Sequence, residues 1–126
     1  MDLIINHTSM EPIYEQIMIQ IKSGIIEGTL TAGEALPSVR ALSRELKISA
    51  LTVKKAYDSL EEEGLVVTVH GKGSFIANTN QELLMEERRK ELEKELEAAV
   101  QKARTGGLTA KEIRESFEII MEDEIC

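Results

Sequence analysis

Pro37-Ser38-Val39-Arg40-Ala41-Leu42-Ser43-Arg44-Glu45-Leu46-Lys47-Ile48-Ser49-Ala50-Leu51-Thr52-Val53-Lys54-Lys55-Ala56-Tyr57 reads as two helices separated by a break at Lys47-Ile48-Ser49. Pro37 disfavours helix in the residue before it, and Ser38 is an N-cap whose hydroxyl can satisfy a free N–H of the first turn. Val39, Leu42 and Leu46 then form one apolar stripe. Ser49 is a second N-cap, opening a helix that runs to about Glu63. That helix buries Val53, Ala56, Tyr57 and Leu60, and Gly64 ends it.

Upstream, Pro12 stands where its fixed φ suits a helix start and its missing N–H is harmless. Ile13, Ile17, Ile21 and Ile25 follow at four-residue steps, with Tyr14 and Met18 beside them, and Gly28 closes this amphipathic helix. Leu3 to Ile5 is expected to be a short strand, and Thr29 to Pro37 a turn-rich connector. Downstream of Gly64 the period changes. Leu65 to Val69 and Ser74 to Ala77 are β-rich, and His70-Gly71-Lys72-Gly73 between them is a hairpin tip. Helix, helix, turn, helix, hairpin is the order of a winged helix-turn-helix, in which the second helix of the pair enters the DNA major groove.

From about Gln81 a long charged helix begins. Met85, Leu92, Leu96, Ala99 and Ala103 lie on a heptad-like seam that Arg89 interrupts. So narrow a seam more often meets another helix than covers a monomer core. Gly106-Gly107 breaks it, and Thr109-Ala110-Lys111-Glu112 is a capping box opening a last helix with Ile113, Phe117, Ile120 and Met121 on one face. The expected fold is therefore mainly α with a small β wing. A DNA-binding winged helix-turn-helix occupies residues 1–77, and a two-helix dimerisation segment occupies residues 78–126. Leu92, Leu96, Phe117 and Ile120 are expected to meet a second copy of the chain, giving a homodimer.

The formal net charge of −8 argues at first against a nucleic-acid partner. Its distribution reverses that reading. From Ser38 to Tyr57 five basic residues (Arg40, Arg44, Lys47, Lys54, Lys55) oppose Glu45 alone, whereas 8 basic and 13 acidic residues lie beyond Asn78. Aromatic residues make up only 3% of the chain and Trp is absent, which disfavours single-strand recognition by base stacking. With His7 and His70 the only histidines, no metal site is expected, and no cofactor motif or catalytic set is present. The opening Met1-Asp2-Leu3-Ile4-Ile5-Asn6-His7 is too short for a signal peptide. No apolar run reaches the roughly 20 residues of a membrane span. The sole cysteine, Cys126, reads as incidental, so a cytoplasmic protein is expected.

Gly28-Thr29-Leu30-Thr31-Ala32-Gly33-Glu34-Ala35-Leu36-Pro37-Ser38-Val39-Arg40-Ala41-Leu42 resembles the signature of GntR-family regulators, G-x-L-x-x-G-x-x-L-P-S-x-R-x-L. The resemblance continues in Leu46-Lys47-Ile48-Ser49, Thr52-Val53-Lys54-Lys55-Ala56-Tyr57, Leu60-Glu61-Glu62-Glu63-Gly64 and His70-Gly71-Lys72-Gly73-Ser74-Phe75. The 49 residues beyond Ala77 are too few for the large effector domains of that family and resemble the short helical tail of its YtrA-like group. The resemblance implies a homodimeric repressor of a palindromic operator, and members of that group often control transporter operons. One departure concerns the third helix, where Ala50 and Leu51 stand in place of the Arg or Pro, then Asn or Thr, of many relatives, so that a guanine-reading arginine of the family is missing at position 50.

The expected DNA contacts are Ser38, Arg40, Ser49, Thr52, Lys54, Lys55, His70, Gly71, Lys72 and Gly73. Arg40 can grip phosphate or the edge of guanine, and Ser49, Thr52 and Lys54 open the helix whose N-terminus faces the groove. Lys55 is expected on phosphate, and glycines at the wing tip let the backbone approach the minor groove. The sequence names no small-molecule effector. The competing reading is a winged helix that has lost DNA binding and docks a protein through its acidic tail.

Overall fold

The computed structural model describes residues 1–125, and Cys126 lies outside them. The elements in chain order are α1 (Ile13–Glu27), α2 (Val39–Leu46), α3 (Ala50–Glu62), β1 (Val66–Val69), β2 (Gly73–Ile76), α4 (Gln81–Thr105) and α5 (Ala110–Ile125). Two compact units result, one covering Met1–Glu82 and the other starting at Leu83.

The core of the first unit forms where α1, α2 and β1 pack on α3. Ile17, Ile21, Leu42, Val53, Ala56 and Leu60 are fully buried, and Ile25, Tyr57, Leu65, Val66 and Ile76 nearly so. The isoleucine ladder of α1, at four-residue steps, thus meets the stripe of α3, and full burial of each Ile, Val or Leu side chain contributes about 1.5–3 kcal/mol. Both serine caps form: Ser38 Oγ accepts from the Ala41 N–H at 3.0 Å and Ser49 Oγ from the Thr52 N–H at 3.2 Å.

Leu3 to Ile5 is not a strand. The Gln20 amide donates to the Ile4 carbonyl at 2.7 Å and accepts its N–H at 2.9 Å, and Gln16 does the same to Asn6 at 3.0 and 2.8 Å. Two side-chain amides from α1 thus satisfy alternate backbone groups of an extended segment, as a neighbouring strand would. The apolar pattern is real, since Leu3 and Ile5 are half-buried, but among the described residues no strand pairs with the segment.

The connector after α1 is more than a run of turns. Gly33 N–H donates to Ile76 O (2.8 Å), Ile76 N–H to Glu34 O (2.9 Å) and Leu36 N–H to Ser74 O (2.9 Å), with Ala35 bridged to Phe75. Residues 33–36 therefore line the second edge of β2, while β1 pairs antiparallel on the first, from Val66 opposite Ile76 to Val69 opposite Gly73.

In the second unit α4 ends as expected at the glycine pair, where Gly107 has φ 97 and the Leu108 N–H returns to the Ala103 carbonyl. The α5 capping box is complete: Glu112 accepts from the Thr109 N–H at 3.1 Å, and Thr109 Oγ1 accepts from the Glu112 N–H at 3.2 Å. The Thr109 N–H, and after it the Thr109 hydroxyl donating at 3.0 Å, hold the Glu112 carboxyl below its usual range. Among the described residues α4 and α5 do not pack against each other.

Candidate nucleic-acid interface

The candidate interface is assembled at the two residues that precede the Ser38 cap. Leu36 is tied to the wing through Ser74, and the Pro37 carbonyl accepts the Tyr57 hydroxyl of α3 at 2.8 Å. The start of α2, the middle of α3 and the wing strand are thereby bonded into one scaffold. Burial, and to a lesser degree the negative charge of Glu45, pushes the Tyr57 hydroxyl well above the ordinary tyrosine range, so it remains a donor at any physiological pH.

The turn between α2 and α3 is equally fixed. Lys47 takes the left-handed conformation (φ 56, ψ 48), its N–H returning to the Ser43 carbonyl. That carbonyl also accepts the Ile48 N–H at 3.1 Å, while Ser43 Oγ donates to the Ile48 carbonyl.

The expected contact residues all lie in the first unit. Ser38, Arg40, Ser49, Lys54 and Lys55 are exposed and Thr52 is half-buried. The Arg40 guanidinium forms no ion pair among the described residues. At about 100° per residue around α3, Lys54 and Lys55 flank an outward stripe made by Leu51 and Asp58. Lys54 lies on the same side as Tyr57, toward α2, and Lys55 on the side toward α1. Leu51, 78% exposed, presents only apolar surface at the helix start.

At the wing, Val69 opposite Gly73 leaves His70, Gly71 and Lys72 as a three-residue tip, all exposed. Gly71 at φ 79 and Gly73 at φ 119 occupy a region that L side chains avoid, and the Lys72 N–H closes the loop on Val69 O at 3.0 Å.

Two neighbours of these residues were not anticipated from sequence. Asp58 accepts from Lys54 Nζ at 2.7 Å, and this pairing raises the lysine pKa. Tyr14, in the first turn of α1, holds Lys55 Nζ 4.0 Å from its ring centroid. The first follows from i,i+4 spacing and was legible. The second depends on how α1 packs against α3 and leaves no local signal.

The expected dimerisation residues Leu92, Leu96, Phe117 and Ile120 are 53%, 39%, 45% and 60% exposed. Among the described residues no group of three His, Cys, Asp or Glu side chains is arranged to hold a metal ion, and no helix is long and apolar enough to cross a membrane.

Three helices, a tight left-handed turn and a glycine-tipped hairpin define a winged helix-turn-helix of the kind found in bacterial regulators. The pattern of the bacterial regulatory proteins of the gntR family matches residues 13–76, and this chain belongs to the GntR family. The HTH-type transcriptional repressor YtrA of Bacillus subtilis is 33% identical over 94% of this chain and 92% of its own length. A transcriptional antiterminator from Listeria monocytogenes EGD-e has the same fold, with a TM-score of 0.73 and 32% identity over 100% of this chain and 94% of that one. The DNA-binding domain of AraR, solved in complex with operator ORX1, matches with a TM-score of 0.54 and 28% identity, covering 60% of this chain and 95% of that domain.

Proposed function

We propose that this chain is a sequence-specific transcriptional repressor that binds a palindromic operator as a homodimer in the cytoplasm. Residues 1–77 form the DNA-binding domain and residues 78–126 the dimerisation segment. The observation that carries the reading is the bonded scaffold around Leu36, Pro37 and Tyr57. It sets Arg40, Lys54, Lys55 and Lys72 as exposed cations on α2, α3 and the wing of an otherwise acidic chain. The similarity to YtrA over nearly its full length supports the role of repressor. The similarity to an operator-bound AraR domain supports duplex DNA as the partner. The YtrA-like resemblance favours a transporter operon as the target.

In this reading Arg40 and Lys54 meet base edges or phosphate, and Ser38, Ser49 and Thr52 add hydroxyl and helix N-terminal contacts to phosphate. Lys55 and Lys72 neutralise phosphate, and His70, Gly71 and Gly73 bring the wing to the minor groove. Leu92, Leu96, Phe117 and Ile120 meet the second protomer, which explains why helices that ignore each other carry exposed apolar faces. The chain acts by occupying DNA and is not an enzyme.

Selection tests the proposal. The full-length protein is offered a random-sequence duplex library, and the retained DNA is sequenced. Inverted half-sites about one helical turn apart, or a multiple of that, are expected. Retention of no preferred sequence contradicts the reading and favours a winged helix that docks proteins.

A further inference from the structure

We propose that Tyr14 is a positioning residue for DNA binding, its ring holding the Lys55 ammonium ready for a backbone phosphate. The inference rests on the operator-binding reading above and deepens it.

Lys54 and Lys55 are adjacent, both exposed, and held in opposite ways. The Lys54 ammonium is paired with the Asp58 carboxylate at 2.7 Å, so its charge is locally cancelled. Lys55 Nζ lies 4.0 Å from the Tyr14 ring centroid, well inside the about 6 Å over which a ring quadrupole attracts a cation. A neutral ring restrains the cation without neutralising it. The full charge of Lys55 therefore stays available to displace a counterion from DNA.

Restraint matters because a lysine side chain has four rotatable bonds. Its rotamer freedom is lost when the ammonium settles on one phosphate, and a side chain already ordered loses less. Tyr14 is itself fixed, half-buried in the first turn of a helix that packs on α3, with its hydroxyl donating to Glu15 at 3.2 Å. The ring is thus carried by the core of the domain, and Lys55 takes its direction from it.

A contact that merely staples α1 to α3 would affect stability alone, so the decisive readouts are the affinity for DNA and its coupling between Tyr14 and Lys55, with the salt slope reporting whether Lys55 itself meets a phosphate. Full-length wild type, Lys55→Gln, Tyr14→Leu, Tyr14→Phe and the Tyr14→Leu/Lys55→Gln double variant are titrated at several salt concentrations. The probe is a duplex that the wild type retains from a random library. Lys55→Gln is expected to lower the log–log salt slope by about 0.9, the value of one phosphate. Tyr14→Leu keeps the Lys55 charge and so the slope, but should weaken binding about 2- to 10-fold through the lost ordering; Tyr14→Phe should match wild type, and the double variant should bind like Lys55→Gln alone. Wild-type affinity for Tyr14→Leu, a wild-type slope for Lys55→Gln, or a further loss of affinity in the double variant overturns the proposal. So does a loss in Tyr14→Phe equal to that in Tyr14→Leu, which would assign the contact to the hydroxyl. If Tyr14→Leu does not fold, Tyr14→Met replaces it, keeping apolar bulk without the ring. Wild type that retains no duplex refutes the operator reading itself, whereas retention with an unaltered Tyr14→Leu affinity refutes only the role of Tyr14.

Discussion

The Tyr57 hydroxyl donates to the Pro37 carbonyl at 2.8 Å, joining the middle of α3 to the residue that starts α2. Tyr57→Phe removes the donor and leaves a half-buried carbonyl unsatisfied. Unfolding should become easier by about 0.5–1.5 kcal/mol. Operator affinity should fall as well, because Ser38 and Arg40 are carried by the segment this bond holds. The pH dependence adds a signature. The tyrosine pKa is raised in the folded state above its unfolded value of about 10. The stabilisation is therefore complete below about pH 10 and is lost as the pH rises toward the folded value. Chemical denaturation from pH 7 to 11 should show a steeper alkaline decline in wild type than in Tyr57→Phe.

Asp58 restrains the side chain proposed to read bases. Contact of Lys54 with DNA competes with its pairing to Asp58, and the carboxylate repels phosphate wherever Lys54 finds no better partner. Asp58→Asn should raise affinity for random-sequence duplex more than for a selected operator, narrowing the ratio between them. Competition binding at fixed salt measures that ratio, and an unchanged ratio means that the pair has no part in discrimination.

Lys47 stands at a left-handed position that glycine occupies more easily. The conformation costs an L-residue roughly 1–2 kcal/mol, and glycine gives back about 0.5–1 in unfolded-chain entropy. Lys47→Gly should therefore raise the thermal midpoint by a few degrees, read by calorimetry. Its charge is lost with it, so DNA affinity should not rise in parallel.

A chain cut after Asn78 loses the exposed faces of Leu92, Leu96, Phe117 and Ile120. It should sediment as a monomer and bind operator far more weakly, because two linked half-site contacts reinforce each other. A stable dimer of that fragment in analytical ultracentrifugation contradicts the assignment of dimerisation to the tail.

The helix pair was legible because its determinants are local. Ser38 and Ser49 lie one turn from the N–H groups they cap, and the stripes of Leu42 and of Val53, Ala56 and Leu60 repeat at helical period. The α5 capping box was readable for the same reason. What escaped was non-local. Residues 33–36 lack strand alternation, and their partner, β2, lies beyond α2, α3 and β1 in the sequence. Leu3 to Ile5 has strand-like composition, yet the groups that satisfy it are glutamine side chains of α1. The Tyr14–Lys55 contact joins two helices whose packing no local spacing encodes.

In the proposed complex DNA lies against α2, α3 and the wing. The salt slope of operator binding for Lys72→Gln, compared with Lys90→Gln on α4, tests it most directly. Both lysines are exposed, and each substitution removes one positive charge. A lysine on phosphate contributes close to one unit of slope, and one beyond a Debye length of roughly 8 Å contributes almost none. Lys72→Gln should lower the slope by about one unit while Lys90→Gln leaves it unchanged. The opposite ranking would place the duplex along α4 and rule that arrangement out.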